Sequence, residues 1–415
     1  MAQLTRLTQL ASRINRLHKV ARVASAGTKR AKESKAHAGP TERGDAHNDH
    51  DIIHDHDADE ETLTRINQKL THITNLYDTG KPLFPRSLLQ NLDDQITAGK
   101  EEVTIEDLDG VNHTYSLIVP AWCADFATSY RISYSSLQTL TCIHPSFPEA
   151  SLRETSPISI CYTSSPEPLP QASYEEVEAT YARNQKKWEE SETCSTLIRN
   201  LQGLVMDEAK LGRVRKIVAF GLGSLAAMES REEEGGYHRI RAHAQHAAIR
   251  TMVETLVSSW NQTHYQDHSD LDIDTDTETK ECEEEHSIKC YAQDPAYTET
   301  DMTLLHKLGI TPLDDPKGFL EIDDSTLVFS VSPNVPVKQV VADVQWPAAM
   351  IWNTISLEER EGRWEKKVRN GEEYWVVPFT TDPDSARVRS MAQEYTSVAL
   401  RDSNEFFGDL TIYAR

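Results

Sequence analysis

Short apolar runs alternate with helical stripes through the second half of the chain. Ile217–Phe220 is a continuous apolar run within KIVAFGLGSL (216–225), and it predicts a strand buried on both faces. Gly221 and Gly223 follow at once, and the next periodic stretch predicts a helix over 238–260 that is rich in Ala, His and Arg. A strand, a glycine turn and a helix in this order are typical of nucleotide-binding α/β domains.

The same alternation continues toward the end of the sequence. We predict strands at 289–295, 310–313, 325–333 and 347–353, with helices at 302–308 and 337–344 between them. After these, the pattern favours a helix over 384–400 flanked by strands at 376–379 and 411–413. Short buried strands separated by helices predict a Rossmann-like, doubly wound α/β domain with a mostly parallel sheet over 210–415.

Polar or glycine residues stand where these strands end. The carboxyl ends of parallel strands meet at one edge of a sheet, where such folds bind ligands, so these residues are predicted to gather there. An acid at the tip of the second strand is where a Rossmann-like fold binds the ribose hydroxyls of a nucleotide. The candidate cofactor-binding residues are Gly221, Gly223, Ser224, Asp294, Ser332 and Asn353.

The glycine turn departs from the dinucleotide fingerprint in two ways. The third glycine of G-x-G-x-x-G would stand at position 226, which is Ala226. The acid, Asp294, follows Gly223 by 71 residues (294 minus 223) rather than by about 20. An insertion in a surface loop accounts for the second difference. The ligand therefore stays open between S-adenosylmethionine, another nucleotide, and no ligand at all, with the glycines serving only a tight turn.

Catalytic residues are left unassigned. The sequence contains no G-x-S-x-G, H-E-x-x-H or P-loop motif. His243 and His246 lie three residues apart on the predicted helix, where they could face the cleft as a base or a ligand, or could be packing residues. Whether the protein is an enzyme is thus not decided by these patterns.

The first half of the chain predicts an α+β extension over 61–172. A helical stripe runs from Leu63 to Leu76, a short helix is predicted over 87–96, and Asp109-Gly110 marks the turn of a hairpin over 102–117. Residues 120–172 are rich in Ser, Thr and Pro and predict no defined element. One long helix is predicted within 173–209.

Residues 1–60 predict a disordered tail, basic at first and then rich in His and Asp. Residues 1–32 contain eight Lys or Arg and no acid, and an apolar stripe recurs at helical spacing through Leu4, Leu7, Leu10, Ile14 and Leu17. This composition is typical of a mitochondrial presequence, a membrane-surface helix or a partner-binding helix. The His/Asp stretch at 47–57 fixes no coordination geometry, so no metal site is predicted.

A second charged segment interrupts the predicted α/β domain. Residues 266–286 carry ten acids and one lysine. Their spacing partly matches a calcium loop, but Thr275 replaces the glycine that such a loop needs. We therefore predict an acidic, solvated insertion, which together with the N-terminal amphipathic helix is a candidate surface for a protein partner.

The net charge, the apolar runs and the cysteine count disfavour some classes of function. A net charge of −23 disfavours nucleic-acid binding through a basic face, and no apolar run of about 18 residues predicts a membrane span. The six cysteines are scattered, which favours reduced thiols in an intracellular protein. The predicted location is the cytoplasm, the nucleus or both, with mitochondria as the alternative through residues 1–32.

Several of these segments resemble the Sensitivity to Red Light Reduced-like (SRR-like) domain family, and its fungal members in particular. The matching segments are IVAFGLGSL (217–225), AQHAA (244–248), YAQDPAYTETDMTLLHKLGI (291–310), TLVFSVSPNVP (326–336) and, upstream, LYDTGKPLF (76–84). The family is linked to light or circadian signalling in plants and to regulation of haem biosynthesis in animals, and no reaction is firmly assigned to it.

The resemblance implies a Rossmann-like domain with a regulatory role. With the residue patterns, it favours a regulatory protein whose pocket binds a nucleotide or an S-adenosylmethionine-like ligand. Two alternatives stay open, a non-catalytic interaction or signalling scaffold and an S-adenosylmethionine-dependent methyltransferase.

Overall fold

The computed structural model describes residues 59–152, 156–163, 172–206, 210–227, 235–268, 287–358, 363–369 and 371–415. The basic segment 1–32, the His/Asp stretch 47–57 and residues 269–286 of the predicted acidic insertion lie outside the described residues. The predictions made for these segments therefore stay predictions, as do the domain boundaries.

The N-terminal region begins with the predicted elements. Helix α1 spans Glu60–Asp78 and helix α2 spans Arg86–Thr97; strands β1 (Glu102–Glu106) and β2 (Asn112–Ser116) form the predicted antiparallel hairpin. Asp59 caps α1, because its side chain accepts a hydrogen bond from the Thr62 amide at 2.7 Å. In β1 the buried residues alternate with exposed polar residues, so the hairpin packs one face against the core.

The Ser/Thr/Pro-rich stretch contains a second hairpin, which the sequence did not predict. Strands β3 (Ser129–Tyr134) and β4 (Ile158–Thr163) pair antiparallel, and helix α3 (Leu137–Thr141) lies between them. Short 3₁₀ helices occur at Ala121–Cys123 and Pro148–Leu152. Strand β3 is half polar, so its sequence lacks the apolar run that marks the strands of the main sheet.

The prediction of one long helix within 173–209 is wrong. Two helices occupy this stretch, α4 (Tyr174–Glu189) and α5 (Glu192–Met206). The break lies at Ser191, whose hydroxyl accepts a hydrogen bond from the Cys194 amide at 3.0 Å and so starts a new helix.

The predicted alternation of strands and helices after residue 210 is confirmed. The elements are β5 (Lys216–Phe220), α6 (Gly235–His268), β6 (Lys289–Gln293), α7 (Glu299–Lys307), β7 (Ile310–Pro312), α8 (Lys317–Leu320), β8 (Thr326–Ser330), α9 (Val337–Val344) and β9 (Ala349–Asn353).

Two predictions near the end of the chain need correction. The elements there are β10 (Glu365–Arg369), β11 (Glu372–Val376), α10 (Ala386–Gln393), β12 (Thr396–Leu400) and β13 (Leu410–Ala414). The helix predicted over 384–400 stops at Gln393, and its second half is strand β12, where Thr396 and Val398 are β-branched. The strand predicted at 376–379 lies earlier, as β11, and pairs with β10 in a separate hairpin.

The main sheet has seven strands in the order β12-β13-β9-β8-β5-β6-β7. The five strands from β9 to β7 are parallel, whereas β13 pairs antiparallel with both β9 and β12. The fold is therefore α/β with a mostly parallel sheet, as predicted.

Helices cover both faces of this sheet. Ile217 and Ala219 of β5 belong to the core shared with α4, α5, α6 and α7, while Val218 and Phe220 belong to the core shared with α1, α2, α9 and α10. The continuous apolar run of β5 follows from this burial on both sides. The N-terminal region packs onto the second face, so its hydrophobic core is continuous with that of the sheet.

Candidate functional site

The glycine turn begins directly after β5. Gly221 and Gly223 have φ angles of +68° and +82°, a region that favours glycine. A Cβ atom on Gly221 would lie 3.1 Å from the Cβ of Pro333, in the loop that follows β8. Glycine at 221 is thus required both by the backbone conformation and by the close approach of that loop.

Asp294, at the end of β6, contacts the turn. Its Oδ2 accepts a hydrogen bond from the Gly223 amide at 2.7 Å, and its Oδ1 accepts one from the Ala296 amide at 2.8 Å. Burial raises the pKa of Asp294, and the two amide donors oppose that rise. The structure therefore brings together Gly223 and Asp294, which lie 71 residues apart.

A second acid, Asp301, completes the turn and was missed by the sequence reasoning. Asp301 is fully buried on α7. Its Oδ1 accepts hydrogen bonds from the amides of Leu225 (2.7 Å) and Ala226 (2.8 Å), and its Oδ2 accepts one from the Ser224 hydroxyl (2.8 Å). It also forms a capping box with Thr298. That Thr-x-x-Asp pattern is a readable helix start, but the bonds to the turn are long-range and leave no local signal.

These two carboxyl groups accept the hydrogen bonds of the backbone amides that a phosphate would need. In phosphate-binding turns the backbone N–H groups and the start of a helix point at the ligand. Here the amides of Gly223, Leu225 and Ala226 donate to carboxyl oxygens of the protein itself. Helix α6 begins at Gly235, twelve residues after Gly223 (235 minus 223), rather than at the turn.

The two histidines of α6 are packing residues, and one of them bonds to the turn. Both are fully buried. His243 Nε2 donates to the Leu225 carbonyl at 3.1 Å, and its Nδ1 accepts from Asn184 at 2.7 Å. His246 Nδ1 donates to the Ala242 carbonyl at 2.7 Å, and its Nε2 accepts from the Tyr297 hydroxyl at 2.9 Å. Burial lowers the pKa of His246 to about 4, so its imidazole is neutral at pH 7.

The other two predicted residues form a second group. The Ser332 amide and hydroxyl both donate to Asn353 Oδ1, at 2.7 and 3.2 Å. Ser332 has a φ of +49°, a left-handed conformation that serine seldom adopts. The six predicted residues thus lie in two hydrogen-bonded groups at the carboxyl edge, linked by the close approach of Gly221 and Pro333. Their role in binding a cofactor stays a prediction.

Asp382 lies beside the start of α9, after the loop that leaves β8, and was also missed. It is 6% exposed, and its Oδ1 accepts a hydrogen bond from the Lys338 amide in the first turn of α9 at 3.0 Å. Its Oδ2 is buried and has no hydrogen-bond partner. Burial raises the pKa of Asp382 to about 6, against the opposing charge of Lys338. The Lys338 ammonium pairs with Asp384, and Thr381 donates to the Pro333 carbonyl, so this segment lies over the loop that leaves β8.

The β3–β4 hairpin reaches the same edge from the N-terminal region. Asp315 Oδ1 accepts hydrogen bonds from the Tyr134 hydroxyl at 2.6 Å and from Gln293 at 3.0 Å. Burial raises the pKa of Asp315 to about 7. Since Gln293 is the last residue of β6, this bond ties β3 to the strand end that precedes Asp294.

Away from the carboxyl edge, three further features of the described residues bear on function. Among the described residues, no group of three or more His, Cys, Asp or Glu side chains is placed to hold a metal ion. Of the helices in this part of the chain, none combines the length and apolar character needed to cross a membrane. Two grooves, of about 790 and 530 Å³, are lined by N-terminal residues and by none of the six predicted site residues.

The class of protein is thereby defined as an α/β protein with a mostly parallel sheet and an acid-rich carboxyl edge. The SRR1 domain family model matches residues 193–414, which is more than half of the 415-residue chain. The chain therefore belongs to the SRR1 domain family, so the family resemblance seen in the sequence is confirmed, and the fungal type stays a prediction. No curated protein and no solved structure matches the chain.

Proposed function

We propose that this SRR-like protein is regulatory and that its Rossmann-like carboxyl edge binds a nucleoside without a phosphate group. S-adenosylmethionine and its demethylated product are the ligand class that fits best. The observation that carries the proposal is that Asp294 and Asp301 occupy the amides of the glycine turn.

A phosphate is disfavoured at this turn for two reasons. It would have to displace Asp301 from its bonds to Ser224, Leu225 and Ala226, which would leave the buried Oδ1 of Asp301 without a donor. It would also approach two acidic side chains, and like charges placed together at an interface cost several kcal/mol. S-adenosylmethionine has a positively charged sulfonium and no phosphate, so neither objection applies to it.

Asp294 keeps the capacity to bind a ribose. A carboxylate offers about four lone-pair positions, and the amides of Gly223 and Ala296 use two of them. Asp294 is only partly buried, unlike Asp301. A ribose hydroxyl donating to Asp294 is therefore compatible with the bonds that hold the turn, and Ser332 and Asn353 would line the neighbouring part of the edge.

The proposal concerns binding and assigns no catalytic residue. A methyltransferase would also need a group that positions or deprotonates the methyl acceptor. The two histidines nearest the turn are buried and engaged with Leu225, Asn184, Ala242 and Tyr297.

Calorimetry on the full chain tests the proposal with four probes: S-adenosylmethionine, S-adenosylhomocysteine, NAD and ATP. We expect heat with the first two and none with the phosphate-bearing ligands. Asp294→Asn should weaken binding by about tenfold, since a hydrogen bond to a charged group contributes about 1.5–3 kcal/mol. The matched control is Asp324→Asn, an exposed acid just before β8, at the opposite edge of the sheet. Tighter binding of NAD or ATP, or no heat with any probe, would overturn the proposal.

A further inference from the structure

Three large apolar side chains of the N-terminal region are exposed at four-residue intervals. Ile118, Trp122 and Phe126 are 54%, 52% and 40% exposed, and together we name them the aromatic patch. The Trp122 ring lies 6.4 Å from that of Phe126 and 6.2 Å, edge-on, from that of Tyr162. The rings therefore form one contiguous surface, whereas exposed apolar residues elsewhere on a protein are usually isolated.

The patch is held in place by two hydrogen bonds and one buried side chain. The Ser116 hydroxyl accepts a hydrogen bond from the Ile118 amide at 3.0 Å, and the Tyr162 hydroxyl donates to the Ser116 carbonyl at 2.9 Å. The 3₁₀ turn that carries Trp122 is anchored by the fully buried Cys123. A rigid, exposed aromatic surface binds a partner at low cost in conformational entropy.

Acidic residues border the patch. A groove of about 790 Å³ adjoins it, and its lining includes Ile118, the acids Glu101 and Glu102, and one cation, Lys100. Glu101 and Glu102 are exposed, and so is Asp125, which lies between Trp122 and Phe126 in the sequence. An apolar centre with an acidic rim fits an amphipathic helix with a basic face.

We propose that residues 1–32 of the same chain dock on the aromatic patch as an amphipathic helix. The apolar stripe from Leu4 to Leu17 would cover Ile118, Trp122 and Phe126, and the basic side chains would face the acidic rim. The segment carries eight Lys or Arg and no acid, so its formal charge is +8, and the other residues carry −31 (−23 minus 8). This charge difference attracts the segment to the rest of the chain at moderate ionic strength.

The chain between the segment and the structure is long enough for this contact. Residues 33–58 number 26 and reach at most about 86 Å when fully extended. From Asp59, α1 runs about 20 Å to His72, which bonds to Asp109 at the turn of the β1–β2 hairpin. From Asp109 to Ile118 the chain covers at most about 30 Å. This path from Asp59 to Ile118, about 50 Å, is shorter than the extended length of residues 33–58, so the segment 1–32 can reach the aromatic patch.

Hydrogen exchange measured by mass spectrometry on the full chain tests the docking. The stripe variant is Leu7→Asp with Ile14→Asp. The control variant is Thr5→Asp with Ser12→Asp, which adds the same two charges on the opposite side of the predicted helix. We expect the amides of residues 117–127 to exchange about tenfold faster in the stripe variant than in the wild type, and the control variant to match the wild type. A synthetic peptide of residues 1–32 should restore protection to the stripe variant.

A second measurement locates the contact. Carbodiimide should join a lysine of residues 1–32 to Glu101 or Glu102 in the wild type and the control variant, and Trp122→Ala should abolish this crosslink. Equal exchange in all three proteins would overturn the proposal. Protection that rises with protein concentration together with a dimeric mass would also overturn it, because the segment would then dock on a second copy. Neither result bears on the calorimetry of the carboxyl edge.

Discussion

The two halves of the carboxyl edge differ in how completely their polar groups are paired. At the ends of β5 and β6, the amides of the glycine turn donate to Asp294 and Asp301. At the ends of β8 and β9, Ser332 is held in a left-handed conformation and the buried Oδ2 of Asp382 lacks a hydrogen-bond partner. The first half is complete without a ligand, and the second half retains an unmet acceptor.

This difference shows what a ligand could gain in each half. A ligand at the glycine turn must share acceptors that are already in use, so its best contacts there are neutral hydroxyl groups or a cation. In the second half, a donor that reached Asp382 would satisfy a buried atom, and such an unpaired group costs about 1–3 kcal/mol. Three substitutions sharpen or break the comparison.

The largest loss of stability is expected from Asp301→Ala, in the half of the edge where the amides are already paired. The substitution leaves the buried amide of Leu225 without an acceptor, and the Ala226 amide keeps only the Ser224 hydroxyl. It also removes the capping box with Thr298 at the start of α7. Each of these losses costs about 1–3 kcal/mol, so we expect a loss of about 4 kcal/mol of unfolding free energy. Urea unfolding measures this. Glu299→Ala, an exposed acid in the first turn of the same helix, should cost less than about 1 kcal/mol. Similar losses for both variants would show that the turn does not depend on Asp301.

The next largest effect is a pH dependence of stability that comes from Asp382, in the half of the edge with the unpaired acceptor. Asp382 has its pKa raised to about 6, so between pH 4 and 6 it holds a proton in the folded chain and has lost it in the unfolded chain. The contribution of Asp382 to stability should therefore fall as the pH rises through this range, by about 3 kcal/mol at 1.36 kcal/mol per pKa unit, and then level off.

Asp382→Asn should remove that part of the slope, as measured by urea midpoints from pH 4 to pH 7. The exposed Asp324→Asn should leave the slope as it is in the wild type. A slope in Asp382→Asn as steep as in the wild type would show that Asp382 ionises normally, and the contrast between the two halves would lose its basis.

The smallest effect concerns the contact that links the halves. Gly221→Ala and Gly309→Ala both place alanine at a positive φ, which costs about 1–2 kcal/mol. Only the Cβ at position 221 meets another atom, the Cβ of Pro333 at 3.1 Å, whereas nothing lies within 4 Å at position 309. We expect Gly221→Ala to cost about 2 kcal/mol more in urea unfolding than Gly309→Ala because of overpacking. Equal costs would mean that the loop after β8 moves away freely.

Much of the fold could be predicted because burial leaves a local pattern. The parallel strands β5, β6, β8 and β9 are buried on both faces and therefore appear as apolar runs. The break at Ser191 has no Gly or Pro to mark it, and its cap is visible only once the helices are placed. Strand β12 was missed because it lies at the edge of the sheet and is largely exposed, so packing left little signal in its sequence.

The site could be predicted only where strand ends reveal it. Gly223 and Asp294 follow strands, and their position at the same edge was expected from the geometry of a parallel sheet; the hydrogen bond between them is seen only in the structure. Asp301 lies on a helix, and Asp382 lies in a loop after the β10–β11 hairpin. Their partners, Ala226 and Lys338, are 75 and 44 residues away, so no local pattern indicates these bonds.

The position of β13 has a consequence for synthesis of the protein. This strand is fully buried and pairs with β9 on one side and β12 on the other. A nascent chain that has not yet reached residue 410 therefore exposes the unpaired backbone of β9, and β12 has no strand to join. Such an open edge can pair with strands of other chains and so promotes aggregation. We therefore expect the ribosome-bound protein to need rapid completion of synthesis, or binding by a chaperone, until β13 emerges.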